Sequence, residues 1–347
     1  MSPPIRMAPP ASTEPDPRGR KTSRRRSVLL IALIGTAVLI VGALVFASVY
    51  VVRIDSAVEQ NLQRVDEMPP DSPTDPSESP RPAKNPASKA INYVLIGSDS
   101  RAVGNAGAGR SDALMVLHLT GDRREAYLIS FPRDLYVPIP GHGKDKINAA
   151  YAYGGTALTI RTLEGLLDTR MDHVAVIDFA GFIGLTDDLG GVTVYNQYPS
   201  RSDGYAFPQG NVTIRGQQAL AYVRERKQLP HGDLDRAERQ RAVVAAIMKK
   251  GLSPAVIADP DRFVRFAGGA ARHISVDRQL TDRELRKTAA SLRLTPDDVF
   301  ALQAPITGFG TSPTKQSIDI VDQPKLDVLA AALRDDRMTD YVASYPN

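Results

Sequence analysis

Apolar and polar positions along this chain separate into one long uncharged block and a later series of short alternating runs. The block, Val28–Val52, contains no charged residue. About 20 apolar helical residues suffice to cross the hydrocarbon core of a bilayer, so this run predicts one membrane-spanning helix. A cleaved signal would have a shorter apolar core followed by a small-residue cleavage site. Ala47 and Ser48 resemble such a site, but the run continues through VYVV, which favours a retained anchor. Residues 1–27 are rich in Pro and polar side chains and predict a disordered tail. After the block, IDSAVEQNLQRV (Ile54–Val65) predicts a short juxtamembrane helix. The Pro-rich stretch Pro69–Lys89 predicts an extended, semi-rigid stalk.

From Ala90 onward the pattern changes. INYVLIGSD reads as a buried strand. Ala113–Thr120 and Glu125–Phe131 are two more, and the GDRR between them suits a hairpin. Gly155–Leu167 has helical spacing, His173–Phe179 reads as a strand, and GFIGLTDDLGGVTVY as a helix and a strand. Arg215–Arg224 and Leu234–Lys250 predict helices; Asp233 can cap the second and Gly251 end it. Ser253–Ala271 and Thr281–Leu292 look helical, Val299–Gln303 and Ser317–Val321 look like strands, and Pro324–Leu333 like a last helix. The mixture predicts a single α/β domain over 90–340, a central mixed sheet flanked by helices, after one transmembrane helix at 28–52 and a linker at 53–89.

Charge fixes the orientation expected of this arrangement. Six basic residues lie between Arg18 and Arg26, directly before the apolar block. By the positive-inside rule they stay cytoplasmic, which puts everything after about Arg53 outside the cell. The seven basic and two acidic residues of the tail more than account for the net charge of +4, so the outer part is close to neutral and presents no nucleic-acid-binding surface. There is no cysteine, hence no disulfide and no thiolate metal site. His118, His142, His173, His231 and His273 are scattered without metal-ligand spacing, and His118 reads as a packed or paired strand residue. No serine sits in a G-x-S-x-G elbow, and the glycines at 104, 107 and 109 form no G-x-G-x-x-G opening a helix.

The polar residues at the ends of the predicted elements are mostly arginines and aspartates. Asp99 and Arg101 follow the first strand, Arg110 and Asp112 precede the second, and Arg133 and Asp134 follow the third. Lys146 and Asn148 come next, then Arg224 and Arg226 at a helix end, then Arg236, Arg239 and Gln240 in the first turns of another. Strand ends are where α/β folds place their sites. Forked guanidinium donors grip phosphate or pyrophosphate bidentately. Paired carboxylates such as Asp99 and Asp112 suit a magnesium ion, whose protein ligands are usually one or two carboxylates beside substrate phosphates. Read from residue types alone, this is a site for an anionic ligand, with or without a metal; Arg–Asp pairs taken singly are more often solvated ion pairs.

In order, NYVLIGSDSR, GRSDALMVL, SFPRDLYVPIPG, DKINAAYAYGG, LGGVTV, QALAYVRERK and DRAERQRAV resemble the LytR-CpsA-Psr family, membrane-anchored bacterial proteins that attach glycopolymers to the cell wall. The resemblance covers about residues 90–250 and is weak after 255. It implies that Asp99 and Asp112 bind magnesium, or manganese in its place. It implies that Arg110, Arg133, Arg224, Arg226 and Arg236 contact pyrophosphate with Gln240, that Lys146 reaches a phosphate, and that a polyprenyl tail lies in an apolar tunnel between sheet and helices. The loop RERKQLPHGDLDR departs from the family in its Gln-Leu-Pro-His, where relatives are more polar.

The implied reaction moves a glycopolymer from a polyprenyl-pyrophosphate carrier to a peptidoglycan hydroxyl, releasing polyprenyl phosphate. Asp134 is the candidate general base, or else a partner that orients Arg133. Arg101, Asn148 and Arg239 complete the candidate pyrophosphate set. Two other functions fit the same residues: a hydrolase of the same lipid, and a non-catalytic surface protein that binds anionic glycans or lipid.

Overall fold

The structure, a computed structural model, describes residues 61–65, 68–71, 80–98 and 111–345. The expected tail, the apolar block Val28–Val52 and part of the Pro-rich stretch lie outside the described residues. Among the described residues no helix is long and apolar enough to cross a membrane.

A seven-stranded mixed sheet forms the centre. Its strands are β1 (Gln63–Val65), β2 (Ile91–Ser98), β3 (Ser111–Leu119), β4 (Ala126–Phe131), β7 (His173–Asp178), β12 (Ser275–Asp277) and β13 (Val299–Gln303), in the order β1–β12–β7–β2–β3–β4–β13. β2, β3 and β4 run antiparallel, while β7 joins β2 and β13 joins β4 in parallel. Hairpin β5 (Tyr136–Ile139)/β6 (Gly143–Lys146) follows β4 and leads into helix α1 (Ala149–Leu167). After β7 come α2 (Phe179–Asp188), β8 (Val192–Asn196), the short pair β9 (Ser200–Ser202)/β10 (Tyr205–Phe207), and β11 (Gly210–Ile214), which pairs with β8. Helices α3 (Gly216–Arg224), α4 (Asp233–Gly251), α5 (Pro254–Ile257) and α6 (Pro260–His273) precede β12. α7 (Asp282–Ser291) precedes β13, and hairpin β14 (Ile306–Thr311)/β15 (Ser317–Val321), α8 (Gln323–Arg334) and α9 (Met338–Ser344) close the chain.

Side-chain alternation divides the sheet between two cores. Val94, Ile96, Leu114, Val116, Tyr127 and Ile129 pack on one face against Ile160 and Leu163 of α1 and Leu326 and Leu329 of α8. Their sequence neighbours Leu95, Met115, Leu117 and Leu128 face the opposite way, toward α4. This opposite face is only half covered: Leu95 and Leu117 stay partly accessible in the middle of the sheet.

Several sequence expectations are met closely. β13 and β15 have the predicted bounds, β3 and β4 form the predicted hairpin, and α7 carries a capping box between Thr281 and Glu284. Others are corrected. Gln63–Val65 is a strand, not the end of a juxtamembrane helix: it fills the edge beside β12, and Arg64 bonds the Leu280 carbonyl and the Asp282 carboxylate. The Pro80–Lys89 part of the expected stalk is pinned to the domain. There Arg81, buried, donates to both carboxylate oxygens of buried Glu164 on α1 and to the Met171 carbonyl. The helix expected over Ser253–Ala271 is two helices, because the residue before a proline avoids helical backbone; Asp259 turns extended there and caps α6. Helix α1 begins ahead of the predicted Gly155, which forms a kink with φ of 62° that a residue with a Cβ would resist.

Candidate functional site

The half-covered face of the sheet borders a cavity of about 490 Å³, enclosed by β2, β3 and β7 and by α2, α3 and α4. Its walls are apolar: Leu95, Met115, Leu117, Phe182, Val244 and Ile247. Its polar lining gathers at one end. Along α4 the inward residues run from Arg236 and Gln240 in the first turns to Val244, Ile247 and Met248 beyond. Arg224 and Arg226 come from the end of α3, and Asp112 and Arg133 from the start of β3 and the end of β4. Val243, one position away, faces a separate core with Leu185 and Tyr222.

Asp233 organises the arginines. Its Oδ2 accepts from Arg133 Nε and from Arg236 Nη2, both at 2.8 Å, and its Oδ1 lies 3.4 Å from Arg226 Nη1. Arg133 also reaches Asp112 Oδ1 at 3.3 Å. The sequence pattern makes Asp233 a helix cap. In the structure Gly232, at a φ of 55°, takes the cap position and launches α4, which frees the Asp233 side chain for the arginines. Arg224 stands over the Phe179 ring, 5.0 Å from its centroid, and both line the cavity. Gln240 donates to the Val223 carbonyl at 3.3 Å, tying α4 to α3.

Arg133, Arg224, Arg226 and Arg236 outnumber Asp112, Asp178 and Asp233, so among the described residues this end of the cavity carries excess positive charge. Burial pushes the Arg236 guanidinium below its ordinary value; Asp233 opposes that and the nearby Arg133 adds to it. The buried Arg236 Nε has no acceptor among the described residues. A buried donor without a partner costs about 1–3 kcal/mol, which an anionic ligand oxygen would recover. Among the described residues the Asp112 carboxylate meets a single arginine, Arg133, and a carboxylate so placed fits a hard cation shared with phosphate oxygens. Among the described residues no group of three or more His, Asp or Glu could hold a metal by itself. Asp99, Arg101 and Arg110 lie outside the described residues.

Other predicted residues fall elsewhere. Lys146 Nζ pairs with Asp134 Oδ1 at 3.0 Å, whereas Arg133 Nε is 3.9 Å from the same oxygen, so Asp134 partners Lys146 first. Asn148 is buried and acts through its backbone: its N–H donates to the Arg133 carbonyl at 3.2 Å, next to Ile147 N–H on Leu135 at 2.8 Å. Arg239 is the clear correction. It turns away from the cavity, donates to Asn196 Oδ1, the Tyr198 carbonyl and Ser200 Oγ, and lies 4.4 Å over the Tyr222 ring. Those contacts hold the β8–β10 segment; Arg239 is not among the residues lining the cavity of Arg236, and its buried Nη1 has no acceptor among the described residues.

Sequence reasoning also missed Asp319. It lies on β15, 6% exposed, beside the segment of Asp134 and Leu135. Burial, then repulsion from Asp134 and Asp233, raises its carboxyl to about 6 against the opposing pull of Lys146 and Arg133.

The LytR_cpsA_psr family matches residues 51–335 of this chain. The chain is 36% identical over 230 residues to a Bacillus cereus protein named polyisoprenyl-teichoic acid–peptidoglycan teichoic acid transferase TagU, covering 66% of this chain and 73% of that one. Its fold is similar to the crystal structure of B. subtilis TagV, with a TM-score of 0.62 at 28% identity, over 72% of this chain and 98% of that chain. It is also similar to TagT bound to LI-WTA, with a TM-score of 0.58 at 28% identity, over 79% and 100% of the two chains.

Proposed function

The chain belongs to the LytR-CpsA-Psr family, and from that premise we propose that it is a membrane-anchored transferase working on the outer face of the cell membrane. It moves a glycopolymer from a polyprenyl-pyrophosphate carrier to a sugar hydroxyl of peptidoglycan, leaving a phosphodiester and releasing polyprenyl phosphate. One observation carries this reading: three arginines gathered around Asp112 and Asp233, with Arg224 as a fourth, line one end of an apolar cavity. An amphiphile with a pyrophosphate between an apolar chain and a polar polymer matches both ends. The basic residues before Val28–Val52 support the anchored, outward-facing placement. The names of the relatives support a teichoic-acid-like polymer. Capsular polysaccharide or arabinogalactan carried on the same lipid pyrophosphate would meet the same residues.

The chemistry asks little of the protein beyond positioning and charge. The anhydride already holds the driving force, so no nucleotide is consumed. The cavity walls hold the polyprenyl chain, and Arg133 and Arg236, oriented by Asp233, fix the pyrophosphate. Arg224 and Arg226 take the charge that develops as the bridging P–O bond breaks. Asp112, with Asp99, would hold a magnesium ion, or manganese in its place, which when bound would neutralise phosphate oxygens.

Incubation of the full chain in detergent with a polyprenyl-pyrophosphate oligosaccharide, magnesium and a peptidoglycan oligomer tests the reading. Mass spectrometry should detect a sugar–phosphate–peptidoglycan adduct that disappears with chelator and in Arg224→Ala. Release of polyprenyl phosphate with no adduct would instead make the protein a hydrolase of its lipid.

A further inference from the structure

Hairpin β14–β15 contributes no residue to the cavity lining, yet it holds two unlike residues beside the segment that carries Arg133. Phe309 on β14 and Asp319 on β15 are register partners. Partners in an antiparallel pair project from the same face, with Cβ atoms about 5 Å apart. Phe309 is 65% exposed, more than any other large apolar side chain among the described residues, whereas Asp319 beside it is buried. The hairpin is docked on the arginine-bearing segment: Asp319 N–H donates to the Asp134 carbonyl at 2.9 Å, and Asp319 bridges Leu135.

The side chain of Asp319 has no evident structural purpose. Among the described residues no donor bonds its carboxylate. The charged groups that face it are Asp134 after β4, Asp233 on α4, Lys146 on β6 and Arg133. Asp134, by contrast, is committed to Lys146 at 3.0 Å. Arg133 lines the cavity, but Asp134, Lys146 and Asp319 stand outside its wall. In an in-line displacement the nucleophile enters opposite the leaving group. With the leaving polyprenyl phosphate in the cavity, the attacking hydroxyl must come from beyond the arginines, where the hairpin lies.

We propose that this hairpin is the acceptor subsite: the Phe309 ring carries the apolar face of a peptidoglycan sugar, and the Asp319 carboxylate takes the proton of the attacking hydroxyl. The inference rests on the transferase reading. As the O–H proton passes to Asp319, the sugar oxygen forms a bond to the phosphorus nearest the glycan. The bond from that phosphorus to the bridging oxygen breaks, and its electron pair leaves with polyprenyl phosphate. A carboxyl poised at about 6 is ionised at neutral pH yet still basic enough for this task.

The test compares wild type, Asp319→Asn and Phe309→Ala as full chains, by initial rates of adduct formation between pH 5 and 9 at varied acceptor. Donor binding is measured separately with the polyprenyl-pyrophosphate oligosaccharide. Asp319→Asn should bind donor normally, transfer about 100-fold more slowly at neutral pH and lose the acid-side limb of the pH profile. Phe309→Ala, altered only at an exposed side chain, should raise the acceptor KM about 5- to 10-fold with kcat little changed. A wild-type rate and pH profile in Asp319→Asn, or an unmoved acceptor KM in Phe309→Ala, overturns the subsite. If wild type itself binds donor and forms no adduct, the transferase reading falls and the subsite with it, an outcome that the wild-type arm reports by itself.

Discussion

Arg133 and Asp233 meet at 2.8 Å although 100 residues separate them in the chain. The contact joins the loop after β4 to the first turn of α4, and the same carboxylate oxygen holds Arg236 at 2.8 Å. One aspartate thereby sets the spacing of two guanidinium forks across two elements, which is the preorganisation that phosphoryl transfer relies on.

Asp233→Ala should therefore damage catalysis more than folding. Without the carboxylate, Arg133, Arg226 and Arg236 repel one another and lose their common orientation. Transfer kcat/KM is expected to fall about 100-fold, the scale of a misplacement by an ångström or so. Asp233 is partly exposed, so its loss should lower the melting temperature by only a few degrees. Steady-state kinetics and a thermal melt on one preparation check both halves; unaltered kinetics would mean that the arginines hold their geometry unaided.

Arg236 and Arg239 lie three residues apart and should respond in opposite ways. Arg239→Ala removes the donors to Asn196, Tyr198 and Ser200 and empties the face of Tyr222. Each lost hydrogen bond to a charged group is worth about 1.5–3 kcal/mol. This variant should melt well below wild type while the folded fraction binds the lipid pyrophosphate normally. Arg236→Ala should bind the lipid at least tenfold more weakly, with a smaller loss of melting temperature. Binding isotherms beside melts decide; equal effects in the two variants would return Arg239 to the ligand site.

These two arginines mark how far the sequence could be read. Positions three apart on a helix share a broad face, so DRAERQ alone could not say which of them turns to the cavity. Arg133, Arg224 and Arg226 were legible because strand and helix ends converge in an α/β fold. Asp233 was not: a Gly-Asp pair before a helix has the local signature of a cap, and its partner Arg133 is remote in the chain. Asp319 was hidden in SIDIV, where an aspartate in a strand reads as the solvent face. Its burial comes from the docking of β15 on Leu135, a tertiary contact that no local pattern announces. Arg81 looked like a stalk residue for the same reason, since its partner Glu164 lies on a helix 83 residues away.

The Arg81–Glu164 pair gives a stability prediction far from the site. Both side chains are almost wholly buried and bonded through two nitrogens and two oxygens. Arg81→Ala leaves a buried carboxylate without its cation, which costs about 3–5 kcal/mol. The paired change Arg81→Met with Glu164→Leu should recover most of that loss, because the uncompensated charge disappears. Denaturant melts of the two variants check the ordering; a double variant no better than Arg81→Ala would mean that the anchoring of the linker, not the charge balance, supplies the stability.

Asp319 ties stability to pH with an unusual sign for a carboxylate. Its folded value is raised, to about 6 from the usual 3.8. Between those values the folded state holds a proton that the unfolded state has lost, so stability falls as pH rises through the window. The penalty is complete above it, on the order of 3 kcal/mol. Below about pH 4 both states are protonated and the penalty vanishes. Asp319→Asn, neutral throughout, should thus raise the melting temperature by several degrees at pH 8 and change it little near pH 4. The same substitution is expected to slow transfer, so stability and activity should move in opposite directions, as they do where a fold retains a destabilising group for its chemistry. Melting curves at the two pH values, beside the transfer rates, measure both. A lower melting temperature at pH 8 would show that the carboxylate makes a stabilising contact and serves the fold rather than the reaction.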